Sequence, residues 1–292
     1  MAGEASETSG NNAPILAGVV GHPVTHSLSP LIHTFWARRA AIDGYYVPVA
    51  APPSYEAFAS VVDGLRRVGF AGVNVTLPHK ENAFRYAGAS TDRARAAAAA
   101  NMLTFDGDTV HADNSDIPGF ASALASVLEE GEDLGKALVL GAGGAARAIV
   151  LALKDAGCRR IAIANRTRRK AEALAQALGA DDVVDWGARS AALSRSVVLV
   201  NTTSLGMAGQ PPLDIDLSAM PAGGVVADIV YTPLKTPLLR QAAGAALRTV
   251  DGLAMLMHQA APGFQQWFHG SASVDEELRQ VLINELERRA AP

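Results

Sequence analysis

Short hydrophobic runs alternate with segments of helical spacing along the first part of the chain. The runs at residues 15–20, 45–50 and 72–77 are rich in β-branched or aromatic residues and end in polar or glycine-rich breaks, which is typical of strands. Helical spacing begins between them at about Pro30 and at about Ser54. Strands separated by helices build parallel sheets, so this βαβαβ order predicts a largely parallel sheet.

Two further short runs, at residues 102–105 and 110–112, flank an Asp-Gly-Asp sequence at residues 106–108. An Asp-Gly pair between two such runs favours a tight β-turn, so they are predicted to form a hairpin. This hairpin closes the first domain near Asn114. The alanine run before it, residues 96–100, is interpreted as a tightly packed helix.

After a helical stretch at residues 117–128 and a polar break, the alternation of strands and helices starts again. The strands predicted in this second block lie at residues 137–140, 160–164, 197–201 and 225–230. The pattern is typical of a doubly wound, Rossmann-type domain, in which ligands bind at the carboxyl ends of the strands. The helical segment that follows, from Leu253 onward, is expected to pack back on the first domain.

The predicted fold class is therefore α/β with two domains. An N-terminal substrate domain with a mainly parallel sheet covers residues 14–115 and is completed by C-terminal helices at residues 253–292. A Rossmann-type dinucleotide-binding domain covers residues 116–252. The length of 292 residues suits two domains of ordinary size, and 49 % hydrophobic with 18 % charged residues is a globular composition.

Charge and cysteine content exclude several classes of protein. The formal net charge is −4 and the densest basic cluster, residues 166–170, is short, whereas nucleic acid binding needs extended clusters of Lys and Arg. Cys158 is the single cysteine, which excludes an internal disulfide, and it is interpreted as a packing residue. The histidines show no metal-ligand spacing, so no metal is predicted.

The N-terminal segment, residues 1–13, has neither the basic start nor the apolar stretch of a signal peptide and is expected to be a loose tail. No apolar run approaches the roughly 20 residues that span a bilayer. We therefore expect a cytoplasmic protein, monomer or homodimer, whose partner is a small molecule and neither a membrane nor a nucleic acid.

A glycine-rich turn links the first strand of the second block to its helix. Its residues are Gly141, Ala142, Gly143, Gly144, Ala145 and Ala146, which match the pattern G-x-G-x-x-A. The first glycine of this pattern makes the tight turn, the second lets the backbone approach a pyrophosphate, and the helix N-terminus supplies amide donors. Because a predicted strand and helix flank the turn, a dinucleotide site is preferred over a purely structural turn.

The residues after the next predicted strand indicate which dinucleotide binds. An NAD enzyme places an acidic residue there, on the ribose 2′-hydroxyl. This chain instead has Asn165, Arg166, Thr167, Arg168, Arg169 and Lys170. Guanidinium groups form forked, charge-assisted hydrogen bonds with phosphate, so the stretch predicts NADP; the alternative is a solvent-exposed basic helix start.

Polar residues of the first domain lie at strand ends and helix starts, where they could contact a substrate. They are Ser27, Ser29, Asn74, Thr76, Lys80, Asn101 and the stretch at residues 113–116. Ser27 and Ser29 open a helix, so their hydroxyls and nearby amides suit an anion such as a carboxylate. N-capping alone would explain one of the two serines.

Together these stretches resemble the shikimate dehydrogenase family. The matching motifs are GHPVTHSLSP, NVTLPHK, DNSD, GAGGAAR, NRT, NTTSLGM, YTPLKTPLL and DGLAMLMHQA, in the family's order over residues 15–268. Motifs from both predicted domains would not arise from a shared nucleotide-binding fold alone. The resemblance implies an NADP-dependent oxidoreductase that reduces 3-dehydroshikimate to shikimate in the chorismate pathway to aromatic amino acids.

The resemblance also implies roles for individual residues. The implied catalytic pair is Lys80 and Asp116. The residues implied to bind substrate are Ser27, Ser29, Thr76, Lys80, Asn101, Asp116, Tyr231 and Gln259. The residues implied to bind NADP are Asp92, Gly141, Ala142, Gly143, Gly144, Ala145, Asn165, Arg166, Thr167, Arg168, Arg169, Lys170, Ile229 and Gly252.

A lysine beside a carboxylate suits the proton transfer that accompanies hydride transfer to a ketone, because negative charge develops on the carbonyl oxygen. Lys80 is expected to act as general acid in reduction and general base in oxidation, while Asp116 holds the ammonium and the substrate hydroxyl. From the residues alone, an exposed helix-start lysine and an N-cap aspartate remain alternatives. His79, beside Lys80, is assigned a surface or packing role.

Four residues depart from the family's commonest pattern, which has Thr, Thr, Gly and Gly at these positions. They are Met102, Ser115, Ile117 and Ala254. The identity of the ring acid therefore stays open, and a dehydrogenase of quinate or of another cyclic hydroxy acid is one alternative. A non-catalytic sensor of NADP and a ring acid is another, disfavoured because Lys80 and Asp116 are both retained.

Overall fold

Two six-stranded sheets organise the protein, whose computed structural model describes residues 13–290. Over these residues the strands are β1 (Ile15–Gly21), β2 (Gly44–Ala50), β3 (Phe70–Val75), β4 (Ala89–Ser90), β5 (Met102–Asp106), β6 (Thr109–Asp113), β7 (Lys136–Leu140), β8 (Arg160–Ala164), β9 (Asp182–Val184), β10 (Val198–Asn201), β11 (Val225–Asp228) and β12 (Arg248–Val250). The tail expected at residues 1–13 lies outside the described residues except for Ala13.

Helices connect most of these strands. In the described part of the chain they are α1 (Ser29–Arg39), α2 (Tyr55–Arg67), α3 (Lys80–Tyr86), α4 (Asp92–Ala97), α5 (Asp116–Ala125), α6 (Gly144–Asp155), α7 (Arg168–Leu178), α8 (Arg189–Ala192), α9 (Pro237–Gly244), α10 (Gly252–Phe268) and α11 (Glu276–Ala290). Ser54 shows how local sequence sets a boundary: its hydroxyl accepts a hydrogen bond from the Ala57 amide at 3.1 Å and so caps the start of α2.

The first sheet has the order β2-β1-β3-β5-β6-β4. Strands β2, β1 and β3 are parallel, β5 and β6 form an antiparallel hairpin, and β4 pairs parallel with β6. The predicted βαβαβ order and the hairpin are confirmed. Because β1 and β3 are central neighbours, the chain segments after their carboxyl ends emerge side by side.

The second sheet is entirely parallel and has the order β9-β8-β7-β10-β11-β12. Its central strands are buried along their length, as expected for strands that helices cover on both faces. The strand order reverses between β7 and β10, which creates the crevice where doubly wound domains bind their ligands. The predicted Rossmann-type fold is confirmed.

The alanine run at residues 96–100 is helical only as far as Ala97, so its interpretation as a packed helix was wrong for the remainder. Ala98 adopts the left-handed conformation with φ +46°, which ends α4. The Ala100 amide then donates to the Lys80 carbonyl at 2.8 Å, and the Asn101 carbonyl accepts from the Val75 amide at 2.8 Å. These tertiary bonds draw the chain out of the helix and toward the sheet.

Helices α5 and α10 pack against each other and join the two cores. Phe120 of α5 packs in the hydrophobic core of the second domain, whereas Phe264 and Trp267 of α10 pack in the core of the first domain. A Cβ atom at Gly119 would lie 2.6 Å from Gln259 Cβ, so the crossing requires a very small residue. The C-terminal helices pack on the first domain as expected, while the residue bounds of the domains stay a prediction.

Candidate active site

Lys80 and Asp116 form a largely buried ion pair beyond the carboxyl end of β3. Lys80 is the first residue of α3 and Asp116 the first of α5. The Lys80 Nζ donates to Asp116 Oδ2 at 2.5 Å, and the two side chains are 16 % and 6 % exposed. A charge-assisted bond of this kind is stronger away from bulk water. The structure therefore brings together the two residues predicted to handle the proton.

Asn101 fixes the second oxygen of the Asp116 carboxylate. Its Nδ2 lies 3.0 Å from Asp116 Oδ1 and 3.2 Å from Gln259 Oε1. Its Oδ1 accepts from the Ser115 amide at 2.7 Å, which sets the orientation of the side-chain amide. Asn101, Asp116 and Gln259 thus lie together as predicted, although Gln259 comes from α10, far along the chain.

A second buried layer supports Asn101. The Asn74 Nδ2 donates to the Asn101 carbonyl at 3.2 Å, and the Tyr46 hydroxyl donates to Asn74 Oδ1 at 2.7 Å. Burial raises the pKa of Tyr46 well above its usual value, so its hydroxyl stays protonated and can donate. The sequence analysis did not identify Tyr46 as a residue of the site. Tyr46 is 6 % exposed and its neighbour Tyr45 is 59 % exposed, and the alternation of buried and exposed positions along a strand is the only sequence signal that distinguishes the two.

The serines lie where β1 leads into α1. The Ser29 amide donates to Ser27 Oγ at 3.2 Å, a local bond of the capping kind, and the Ser29 side chain is buried. Thr76 follows β3 next to this segment, and its amide donates to the Val20 carbonyl at 2.9 Å. The two serines and Thr76 therefore share one edge of the first sheet with Lys80.

Tyr231 reaches this region from the second domain. It follows β11 by a short stretch, and its side chain packs against the first hydrophobic core. Burial raises the pKa of its hydroxyl, and the positive charge of Arg289 opposes that rise. Tyr231 therefore presents a neutral hydroxyl at physiological pH.

The glycine-rich turn has the geometry that a pyrophosphate requires. Gly141 has φ +112°, and a Cβ atom there would overlap with Thr202, whose hydroxyl donates to the Leu140 carbonyl at 2.7 Å. At Gly143 and Gly144, in contrast, a Cβ atom would meet no heavy atom within 4 Å. The N-terminus of the twelve-residue helix α6, without a side-chain cap, faces this open space. These features fit a dinucleotide.

The basic stretch after β8 divides into two kinds of residue. Arg168 pairs with Glu172 at 2.8 Å and also with Asp185. Arg166, Arg169 and Lys170 are exposed and form no ion pair within residues 13–290. Among the predicted phosphate-binding residues, these three have their charge available for a ligand, whereas that of Arg168 is already partly compensated.

Three further residues implied for the cofactor site lie in different places. Ile229 and Gly252 touch, since a Cβ atom at Gly252 would overlap with the Ile229 carbonyl. They mark where the end of β11 meets the start of α10. Asp92 lies at the exposed start of α4, which packs against α6, and pairs with Arg95.

Asp228, at the end of β11, is a buried acid that the sequence did not single out. Burial raises its pKa to about 6, although hydrogen bonds from Thr236, Val230 and Asn201 oppose the rise. These bonds order the loops after β10 and β11, which carry Thr202 and Ile229. Asp228 therefore stabilises the two loops that border the crevice of the second domain.

His79 has a packing role, as predicted. It is fully buried, its Nε2 lies 3.0 Å from the Ala51 carbonyl, and its ring stacks on Phe58. Within residues 13–290, no group of three or more His, Cys, Asp or Glu side chains could hold a metal ion. Among the helices described, none combines the length and apolar character needed to cross a membrane.

Comparison with known families gives matches in both halves of the chain. The model described as the shikimate dehydrogenase substrate binding domain matches residues 19–103. The model described as shikimate / quinate 5-dehydrogenase matches residues 124–205.

Similar proteins and structures extend these matches over nearly the whole length. A shikimate dehydrogenase (NADP(+)) of Methylocella silvestris is 48 % identical over 281 residues, 95 % of this chain and 99 % of the relative. One from Methylobacterium radiotolerans is 50 % identical over 275 residues, with 92 % and 97 % covered. The Thermus thermophilus shikimate 5-dehydrogenase in complex with NADP(H) and shikimate superposes with a TM-score of 0.81 at 34 % identity, covering 95 % and 100 %.

A quinate dehydrogenase from Corynebacterium glutamicum, in complex with NAD, has a TM-score of 0.84 at 26 % identity, and the match covers 94 % of this chain and 100 % of that one. The fold is thus shared across enzymes of different ring acids, whereas the sequence similarity is higher to the shikimate enzymes. The chain belongs to the shikimate dehydrogenase family of NADP-dependent oxidoreductases.

Proposed function

We propose that this chain is a shikimate dehydrogenase that catalyses the reversible, NADPH-dependent reduction of 3-dehydroshikimate to shikimate, on the route to chorismate and the aromatic amino acids. The observation that carries the proposal is the buried Lys80–Asp116 pair, whose carboxylate is held by Asn101, which in turn bonds Gln259. Such a pair handles a proton, and the crevice of the second domain fits a dinucleotide.

Bound NADPH would supply the hydride. The chain itself must protonate the ketone oxygen, and Lys80 would do so as negative charge develops there. In the reverse direction Lys80 would take the hydroxyl proton. Asp116 compensates the ammonium charge and limits its position, and Asn101 in turn fixes Asp116, so the acid is oriented before the substrate arrives.

The substrate carboxylate and hydroxyls are assigned to different parts of the site. Ser27, Ser29 and the Tyr231 hydroxyl would bind the carboxylate: the two serines offer neutral donors at the carboxyl edge of the first sheet, and Tyr231 packs against the core of that domain with its hydroxyl neutral. Thr76, Asn101, Asp116 and Gln259 would bind the ring hydroxyls together with Lys80. The proximity of Asn101 and Gln259 to Asp116 supports this division.

The cofactor is assigned to the crevice of the second domain. The turn at residues 141–145 would hold the pyrophosphate at the start of α6. Residues 165–170 would surround the 2′-phosphate, with Arg166, Arg169 and Lys170 as the cations that are not already paired. Ile229 and Gly252 would lie near the nicotinamide, and Asp92 at the edge of the cleft.

Quinate is the second candidate substrate. The similarity to a quinate dehydrogenase structure favours it, and Met102, Ser115 and Ile117 stand at positions where the family commonly has other residues. Ser115 lies close to the site, since its hydroxyl donates to the Gln259 carbonyl at 2.8 Å. The higher identity to shikimate enzymes favours shikimate.

A matched assay decides between the two acids and both cofactors. The purified protein is given shikimate or quinate with NADP or NAD, and kcat/KM is measured for each combination. We expect shikimate with NADP to exceed the other three combinations by at least about tenfold, the effect of one good interaction of about 1.4 kcal/mol. Faster turnover of quinate would overturn the substrate assignment. Tight binding of both ligands without turnover would instead indicate a sensor.

A biosynthetic role of this kind supports the predicted cytoplasmic location. The single cysteine, Cys158, is buried, and burial raises the pKa of its thiol, so it is poorly reactive. We also retain the expectation of a monomer or homodimer, which sedimentation of the purified protein would test.

A further inference from the structure

The C-terminal helix α11 ends on the segment that carries the two serines. We call residues 22–29 the serine loop. Arg289, next to the end of α11, donates from Nη1 to the His26 carbonyl of this loop at 2.9 Å. Leu278 and Leu282 anchor the helix in the first core, so the position of the guanidinium is set by packing along α11.

Arg289 differs from its neighbour Arg288 in the direction that it faces. The Arg288 side chain is 73 % exposed and the Arg289 side chain 33 % exposed. Both pair with Glu285, at 2.7 Å and 2.6 Å. Glu285 thus pairs with both arginines, and Arg289 is the one whose guanidinium also reaches the serine loop.

The Arg289 charge also reaches Tyr231. It favours the ionised form of the Tyr231 hydroxyl and works against the effect of burial on that group. His26 lies beside Ser27, and Tyr231 comes from the second domain. Arg289 therefore contacts the serine loop directly and acts electrostatically on Tyr231, and both are parts of the chain assigned to the substrate carboxylate.

We propose that Arg289 is a positioning and charge-selecting residue of the carboxylate subsite, an inference that rests on the proposed function. Ser27, Ser29 and Tyr231 offer neutral hydroxyls, which can hydrogen-bond an ester or a carboxylate alike. A nearby guanidinium favours the carboxylate, because removing an anion from water is costly without a compensating charge. Through the His26 carbonyl, the same group holds the serine loop in place.

The test compares charged and neutral substrates in three variants. Shikimate and its methyl ester are varied at saturating NADP, and NADP is varied at saturating shikimate, using Arg289→Gln, Arg289→Lys and Arg288→Gln. Arg288→Gln is the matched control. It removes an equal charge from the same helix turn, and Arg288, like Arg289, pairs with Glu285 in the wild type. Thermal unfolding of each variant checks that the fold is intact.

For Arg289→Gln we expect the KM for shikimate to rise about 5- to 30-fold, with kcat and the KM for NADP within about twofold of the wild type. The KM for the ester should change much less, Arg289→Lys should recover part of the loss, and Arg288→Gln should behave like the wild type. An unchanged KM for shikimate, or an equal rise for acid and ester, would overturn the proposal. The proposed function fails by a separate observation, namely that the wild type does not oxidise shikimate.

Discussion

Lys80 and Asp116 each occupy the first position of a helix, and their side chains meet at 2.5 Å between α3 and α5. A cation at a helix N-terminus is opposed by the helix dipole, whereas a carboxylate there is favoured. Asp116 therefore offsets an unfavourable location of Lys80. The structure also excludes the two alternative interpretations that the sequence left open. Lys80 is not an exposed lysine at a helix start, and the N-cap residue of α5 is Ser115 and not Asp116.

The first prediction concerns this pair. Lys80→Ala removes the proton donor and should lower kcat by about 10²- to 10⁴-fold, the usual effect of losing a positioned acid–base group. NADP binding should survive, because the crevice of the second domain is untouched. Stopped-flow or steady-state kinetics with a direct NADP titration gives both quantities.

Asp116→Asn completes the double-mutant cycle. It deletes the charge while retaining the size of the side chain, and it should also lower kcat. Since the two residues act as a unit, the double variant should lose less than the product of the two single losses. Near-normal turnover of Lys80→Ala would sink the mechanism, and strictly multiplicative losses would show that the residues act independently.

Two glycines of the cofactor turn should respond differently to the same change. Gly141→Ala places a methyl group against Thr202 at φ +112°, so it should destabilise the free protein by about 1–3 kcal/mol. Gly143→Ala meets open space at φ −99° and should leave stability unchanged, while its methyl group obstructs the pyrophosphate and weakens NADP binding at least about tenfold. Urea unfolding without ligand and NADP titration separate the two effects; equal NADP affinity in Gly143→Ala would place the pyrophosphate elsewhere.

The arginines of residues 165–170 provide a second matched comparison. Arg166→Gln should raise the KM for NADP about 10- to 100-fold and leave that for NAD nearly unchanged, because one charge-assisted bond to phosphate contributes about 1.5–3 kcal/mol. Arg168→Gln should have a smaller effect, since Arg168 is already paired with Glu172 and Asp185. If both variants keep the wild-type preference for NADP, the stretch is only a solvent-exposed helix start.

Much of the fold follows from local sequence. The strand runs, the Asp-Gly hairpin and the glycine-rich turn each depend on residues that are close in the chain, so most of the two sheets was predictable. The short strands β4, β9 and β12, of two or three residues each, were missed. The run at residues 96–100 was not, because Ala98 leaves the helix in response to tertiary hydrogen bonds at Ala100 and Asn101. Alanine has high helix propensity, and tertiary contacts override it here.

The site shows the same limit. The resemblance indicated Lys80, Asp116 and Gln259, and the structure brings them together. Tyr46 gave only the signal of strand alternation and Arg289 gave none: their importance depends on which group lies beside them, and those partners are far away in sequence. Functional residues within a motif can thus be identified from the sequence. Residues of another helix or strand that hold the motif in place can be identified only from the three-dimensional structure.

The last prediction concerns His33, a fully buried ring that stacks on Tyr46 with centroids 3.8 Å apart. Neither ring nitrogen has a hydrogen-bond partner in the described part of the chain. Burial lowers the pKa of His33 from 6.5 to about 3, so below pH 6.5 the unfolded chain binds a proton that the folded protein does not. The free energy of unfolding should therefore fall by about 2 kcal/mol as the pH is lowered from 7.5 to 5, through this group alone.

His33→Phe keeps an aromatic ring in the same apolar surroundings and removes the titrating group. We expect urea unfolding to show that the stability of His33→Phe relative to wild type rises by about that amount over this pH range, and parallel pH profiles would show that His33 is protonated in the folded protein.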